Sequence, residues 1–213
     1  MADLTLVIGN KNTSSWSLRP WLVLKKTGVP FREVLLNFSH PEFKAQARQY
    51  SEAGKVPVLL DGPLAVWDSL AIMEYVNEAY AGGVLLPADL GQRARVRAVS
   101  AEMHSEFSAL RRACPMKLLR TPAPMDPPPP GKAAAVRADI ERVGSLWQSL
   151  REEHLDQGPW LFGAFTLADA MFLPVATRFH TYQLDLSSRP LAQAYRDTLL
   201  AMPEFAEWKQ GAE

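Results

Sequence analysis

The spacing of apolar residues changes character about two fifths of the way along the chain. Leu4 to Ile8 is a short unbroken apolar run, the pattern of a buried strand. From Ser15 onward, apolar residues recur at Leu18, Trp21, Leu22 and Leu24, which is helical spacing, and Gly28-Val29-Pro30 ends the run. Phe31 to Leu36 reads as a second strand. His40-Pro41 precedes a modest helix from Glu42 to about Tyr50. Val58 to Leu60 and Leu64 to Val66 flank Asp61-Gly62-Pro63 as a hairpin, and Ala71 to Tyr80 is a third helix. The order β-α-β-α-β-β-α predicts an α/β unit on a small mixed sheet.

Gly82-Gly83 and Leu86-Pro87 mark a linker, after which every period is helical. Val96, Val99, Met103, Phe107, Leu110 and Cys114 predict one long helix. Residues 121–131 are too proline-rich for a regular element. Val136, Ile140, Val143, Trp147 and Leu150 predict the next helix. Thr166-Leu167-Ala168-Asp169 is a variant capping box opening another, and short helices are expected around 191–200 and 204–209. The predicted organisation is an α/β domain over residues 1–81 and an all-helical domain over 88–213.

Composition narrows the class. The 213 residues carry 23 basic and 23 acidic side chains, a formal net charge of zero. That balance argues against a general nucleic-acid or membrane-surface binder. No apolar run is long enough to span a membrane, and Met1-Ala2-Asp3 lacks the basic and apolar regions of a signal peptide. Cys114 is the only cysteine, so there is no internal disulfide, and a cytoplasmic location is expected. His40, His104, His154 and His180 lack metal-ligand spacing, so no metal is expected.

The candidate chemistry lies in Lys55-Val56-Pro57-Val58-Leu59 and in Trp67-Asp68-Ser69-Leu70. Pro57 removes a backbone donor at a strand start, leaving the backbone of Val56 beside it for a ligand. Ser69, at a helix mouth, offers a hydroxyl and free N–H groups to a carboxylate. Asp68 offers an acceptor for an ammonium. Together these groups suit a peptide with a free amino-acid end.

An α/β module of this order joined to a helical domain resembles the glutathione transferase superfamily over nearly the whole chain. Val56-Pro57, Asp68-Ser69 and Thr166-Leu167-Ala168-Asp169 carry the likeness. The resemblance implies a thioredoxin-like βαβαββα domain, a cis proline beside the glutathione site, a serine binding the γ-glutamyl carboxylate, and a homodimer. Ser14-Ser15-Trp16-Ser17-Leu18-Arg19 is similar to the serine-rich motif of the zeta class, the maleylacetoacetate isomerases, with Trp16 where that class has cysteine. The implied activity is glutathione addition to a small electrophile. Cis-trans isomerisation and peroxide reduction are alternatives that start from the same thiolate. A non-catalytic binding or regulatory protein of the same fold is an alternative of another class.

The chemistry sets a requirement. A free thiol of this kind titrates near 8.5, and lowering it by about two units takes about 2.7 kcal/mol of preference for the anion. A hydroxyl donating to an anion supplies about 1.5–3 kcal/mol, and a helix N-terminus up to about 2 kcal/mol more. Ser14 or Ser15, just before the first helix, is expected to donate to sulfur, and the resemblance implies Ser14 first and Ser15 second. Capping the helix is the commoner role for such a pair. His40, Lys44 and Lys55 are the cations expected near the glycyl carboxylate. Trp16, His104, Ser108, Arg111 and Arg112 are expected around the electrophile, with the arginines favouring an acidic one.

Overall fold

A computed structural model describes residues 4–212. β1 (Leu4–Gly9) is buried along its whole length. It pairs parallel with β2 (Phe31–Leu36) and antiparallel with β3 (Val58–Asp61), which pairs antiparallel with β4 (Leu64–Val66). The sheet order is β2-β1-β3-β4. Three helices complete this unit: α1 (Ser15–Thr27), α2 (Phe43–Arg48) and α3 (Ser69–Tyr80). The parallel β1–β2 pair requires a crossover, which α1 supplies. Leu6 and Ile8 join Leu18, Trp21 and Leu22 of α1 in the main apolar core. Val7 joins Val58 and Ala47 in a smaller one on the other side of the sheet. This is the alternation that the period-two pleat dictates.

The rest is helical: α4 (Leu90–Ser105), α5 (Ser108–Ala113), α6 (Ala133–Glu153), α7 (Leu167–Thr181), α8 (Pro190–Leu200) and α9 (Pro203–Gln210). None of the described helices is long and apolar enough to cross a membrane. Helix α7 is buried along almost all of its length, packs against α1, α4 and α8, and so forms the axis of the molecule. Around it, the indole of Trp147 meets the rings of Phe172 and Tyr195 edge-on at 5.6 and 5.3 Å. Such aromatic packing adds about 0.5–1.5 kcal/mol per pair beyond burial.

The one long helix predicted over Val96 to Cys114 is instead two. The chain breaks at Glu106–Phe107, where Phe107 takes a left-handed φ of 59° while its ring stays buried. The Asp139 carboxylate on α6 accepts the Leu110 N–H at 2.9 Å and so supplies an acceptor inside the first turn of α5. The apolar spacing runs through the break because Phe107 and Leu110 both still point inward. A bend of the axis therefore left no trace in the period.

The capping box at α7 is anchored more deeply than a cap requires. One oxygen of the fully buried Asp169 accepts the Thr166 N–H and hydroxyl at 2.7 and 3.0 Å. The other accepts the Leu161 N–H and the Tyr195 hydroxyl at 3.1 and 3.0 Å. Burial pushes the Asp169 carboxyl up to about 6, even though these donors pull it down. The folded protein therefore keeps a proton that the unfolded chain has released between the ordinary carboxylate range and about pH 6. Stability from this group falls as pH rises through that window. In urea unfolding, Asp169→Asn should cost stability, and the loss relative to wild type should be larger near about pH 4 than near about pH 7.

Candidate functional site

The site is assembled where the loop after β1, the segment before β3 and the start of α3 meet α4 and α7. A cavity of about 430 Å³ is lined by Trp16, Ala53, Lys55, Val56, Pro57, Trp67, Asp68, Ser69 and His104. An adjoining cavity of about 250 Å³ shares Trp16, Lys55 and Val56 and adds Thr13, Ser14, Ser15, Phe38 and Phe43. The combined space suits a small, extended ligand.

Val56 stands just ahead of the β3 ladder, and its bond to Pro57 is cis. Asp68 caps α3 by accepting the Leu70 N–H at 3.0 Å, while its second oxygen lies 2.6 Å from Nε2 of His104 on α4. Ser69 is almost fully buried, yet its hydroxyl has no hydrogen-bond partner. Buried polar groups are normally paired, so an unpaired hydroxyl on a cavity wall marks a place for a ligand acceptor or donor.

Ser14 and Ser15 are both buried and both face the smaller cavity. Ser14 occupies the cap position of α1, but its hydroxyl accepts no backbone N–H of the first turn. It donates instead to Ser17 Oγ at 2.7 Å, and Ser17 Oγ also accepts the Gly9 N–H at 3.1 Å. Ser15 Oγ accepts from Arg178 at 3.3 Å, which leaves its own proton for another acceptor.

Behind these serines lies a feature that the sequence reading passed over. Arg19 is fully buried and donates to the carbonyls of Ser15 and Met171 at 2.9 and 3.0 Å and to Met103 Sδ at 3.0 Å. Its guanidinium lies 4.1 Å from the centre of the Trp16 ring, and that of Arg111 lies 5.3 Å from it. Arg178 donates to the carbonyls of Cys114 and Pro174 at 2.9 and 2.8 Å. Among the described residues, none of the three guanidiniums forms an ion pair. Burial, then the neighbouring positive charges, holds Arg19 well below the usual arginine range, and burial with Arg111 beside it brings Arg178 down to about 10. Burial also lowers Arg111, although Asp139 opposes it. A group of cations so arranged favours an anion in front of it. The available signal was an arginine inside each apolar helical stripe, Arg19 between Leu18 and Trp21 and Arg178 beside Phe179.

The remaining predicted residues divide. His104 lines the larger cavity and sits edge-on to Trp16 at 5.3 Å between ring centres, whereas Arg111 lines neither cavity and approaches only through the Trp16 ring, 5.3 Å from its centre. Lys55 lines both cavities. His40 and Lys44 are exposed and line neither; His40 Nδ1 accepts the Glu42 N–H at 3.2 Å. Ser108 and Arg112 line a separate cavity with Pro128, Pro129 and Lys132, because the break at Phe107 turns that face of α5 outward. Phe38, Phe43 and Trp67 join the walls without having been anticipated. Among the described residues, no group of three or more His, Cys, Asp or Glu could hold a metal ion.

Comparison with known proteins gives a consistent result. The model of the glutathione S-transferase N-terminal domain matches residues 13–79 and that of the C-terminal domain matches residues 130–208. A probable maleylacetoacetate isomerase of Caenorhabditis elegans is 28% identical over 92% of this chain and 87% of its own length. A maleylpyruvate isomerase of a Ralstonia species is 28% identical over 85% of each. The holo structure of a maleyl pyruvate isomerase, described as a bacterial zeta-class transferase, superposes with a TM-score of 0.75 at 24% identity, over 98% of both chains. A transferase homologue from Burkholderia with bound glutathione superposes with a TM-score of 0.70 at 23% identity, over 99% of this chain and all of the other.

Because the Ser69 hydroxyl has no partner to lose, Ser69→Ala should leave the unligated protein within about 0.5 kcal/mol of wild-type stability, as read by thermal unfolding.

Proposed function

Since this chain belongs to the glutathione S-transferase family, we propose that its cleft activates the glutathione thiol as a thiolate and directs it at an electrophile that carries a negative charge. The observation that supports this reading most is the meeting, at Trp16, of a serine-lined cavity with the buried Arg19 and the half-buried Arg111, neither of which forms an ion pair among the described residues.

In this reading, glutathione lies along Val56 and pairs with its backbone as an added strand. Ser69 donates to the γ-glutamyl carboxylate, and Asp68 accepts its ammonium. Lys55 is the cation nearest the glycyl end. The sulfur rests before Ser14 and Ser15. The Ser14–Ser17 pair can reverse: Ser17 donates to Ser14, and Ser14 turns its own proton to sulfur. Because Ser17 is held by the Gly9 N–H, each hydroxyl polarises the next, and the bond to the anion strengthens. Ser15 is the second donor, polarised by Arg178. The thiolate then adds to a carbon of the electrophile, whose negative group faces Arg111.

A second reading follows from the same geometry and from the names of the relatives. If the electrophile is a maleyl-type diacid, the thiolate adds across its double bond, the resulting single bond rotates, and the thiolate leaves to give the trans isomer. Glutathione is regenerated, so atoms and charge balance. The guanidinium group favours this acidic substrate class over a neutral one or a peroxide. The reading also takes the protein to be a cytoplasmic homodimer, with the exposed Leu64 and Trp67 as apolar surface for a partner subunit.

Thiolate absorbance of bound glutathione, titrated against pH, tests the serine roles. Ser14→Ala should raise the bound thiol's titration by about one to two units, and Ser15→Ala by less. Unchanged curves in both variants would remove the serines from the mechanism. Ser69→Ala should weaken glutathione binding about tenfold, measured by calorimetry, with no matching loss of stability.

A further inference from the structure

The loop that presents the serines is held from outside by two parts of the helical region. On one side is α9. The indole N–H of the fully buried Trp208 donates to the Lys11 carbonyl at 2.9 Å. The Lys11 ammonium lies 5.1 Å from the centre of the Trp208 ring and 5.4 Å from that of Trp21, and it pairs with Glu33 at 2.7 Å. The other Glu33 oxygen accepts the Trp21 indole N–H at 2.5 Å. On the other side is the segment after α5: the Asn12 carbonyl accepts the Leu118 N–H at 3.2 Å, and its side-chain oxygen accepts the Leu119 N–H at 3.0 Å. Within the loop, the Asn10 carbonyl accepts the N–H groups of Thr13 and Ser14 at 3.2 and 2.8 Å. The loop is thus gripped at consecutive residues, Lys11 and Asn12, and Ser14 is tied back to Asn10.

We propose that Trp208, acting through the Lys11 carbonyl, is a positioning residue that sets the aim of the serine hydroxyls at sulfur. The proposal rests on the thiolate reading given above. A hydrogen bond to an anion weakens steeply once the donor angle departs from linearity, so a small loop displacement is felt at the thiol before it is felt in overall stability. The simpler role for Trp208 is packing: its ring meets Trp21 edge-on at 5.1 Å. Packing requires an aromatic ring there, whereas positioning also requires the N–H. The ion pairs of α9, Lys25 with the exposed Glu207 at 2.9 Å and the half-buried Lys26 with Glu204 at 2.8 Å, dock the helix without a hydrogen bond to the loop.

These roles separate by substitution. Trp208→Phe keeps a ring and removes the donor to Lys11. Asn12→Ala removes the side-chain acceptor on the opposite side. Lys25→Ala removes a docking ion pair and the Lys25 ammonium 5.6 Å from the centre of the Trp21 ring, and leaves the hydrogen bonds to Lys11 and Asn12 in place. Thiolate absorbance of glutathione bound to each protein would be titrated against pH, with affinity measured by calorimetry. In Trp208→Phe and Asn12→Ala the thiol should titrate about half to one unit higher, about three- to tenfold less thiolate at a given pH below the transition, while affinity changes by less than about twofold. Lys25→Ala should titrate like wild type. An unshifted curve in folded Trp208→Phe overturns the proposal and leaves the proposed function standing. If Trp208→Phe does not fold, an unshifted Asn12→Ala overturns it in the same way. An equal shift in Lys25→Ala overturns it too, because helix docking would then suffice. A wild-type protein whose bound thiol titrates as it does in free solution overturns both the positioning role and the function on which it rests.

Discussion

Arg19 is fully buried, and among the described residues no carboxylate forms an ion pair with it. It is held by the carbonyls of Ser15 and Met171 and by the sulfur of Met103. Burying a charge on neutral acceptors costs several kcal/mol unless every donor is well placed. The packing of the sheet unit against α4 and α7 meets that condition. One guanidinium therefore joins the first turn of α1, the middle of α7 and the end of α4. Arg178 repeats the arrangement from the other side, between the Cys114 carbonyl and Ser15 Oγ. The first turn of α1 is thereby fixed from two directions. Asp68 offsets part of the positive potential there without forming an ion pair with Arg19, and the remainder lies against Trp16 on the cavity wall.

This constraint orders the rest of the site. Asp68 and His104 close the cleft between α3 and α4. Trp16 lies with two guanidiniums near its face and a histidine at its edge, so it stands between the two cavities it lines and the arginines behind it. Fixed dipoles and charges aimed at one point in a partly dry cleft stabilise an anion more than the same groups would in water. The chemistry proposed for this chain needs that property twice, once for the thiolate and once for the charged electrophile.

Much of the architecture was legible in the chain because local period and burial agreed. The strands, the hairpin turn and most helices follow from spacing alone, and Asp68-Ser69 and Val56-Pro57 could be placed at the cavity from their chemistry. Three things were not legible. The break at Phe107 was hidden because both sides of it bury residues at helical spacing. The separation of Ser108 and Arg112 from the cleft follows from that break. The grouping of Arg111, which was expected near the electrophile, with the buried Arg19 and Arg178 was missed for a different reason: pattern reading does not show which arginines inside an apolar stripe are enclosed, and only tertiary contact does. His40 and Lys44 illustrate the reverse problem. A cation near the right helix in sequence need not reach a cavity that forms several residues away.

The single cysteine bears on how this protein can be studied. Cys114 is fully enclosed, and burial pushes its thiol up to about 11. With no other sulfhydryl in the chain, an alkylating or disulfide-exchanging probe added to the native molecule meets a silent background. Whatever reactive sulfur it detects arrives with the ligand, and no mixed disulfide with the protein competes for it. The unmodified chain, with its one thiol enclosed, therefore serves as its own reference.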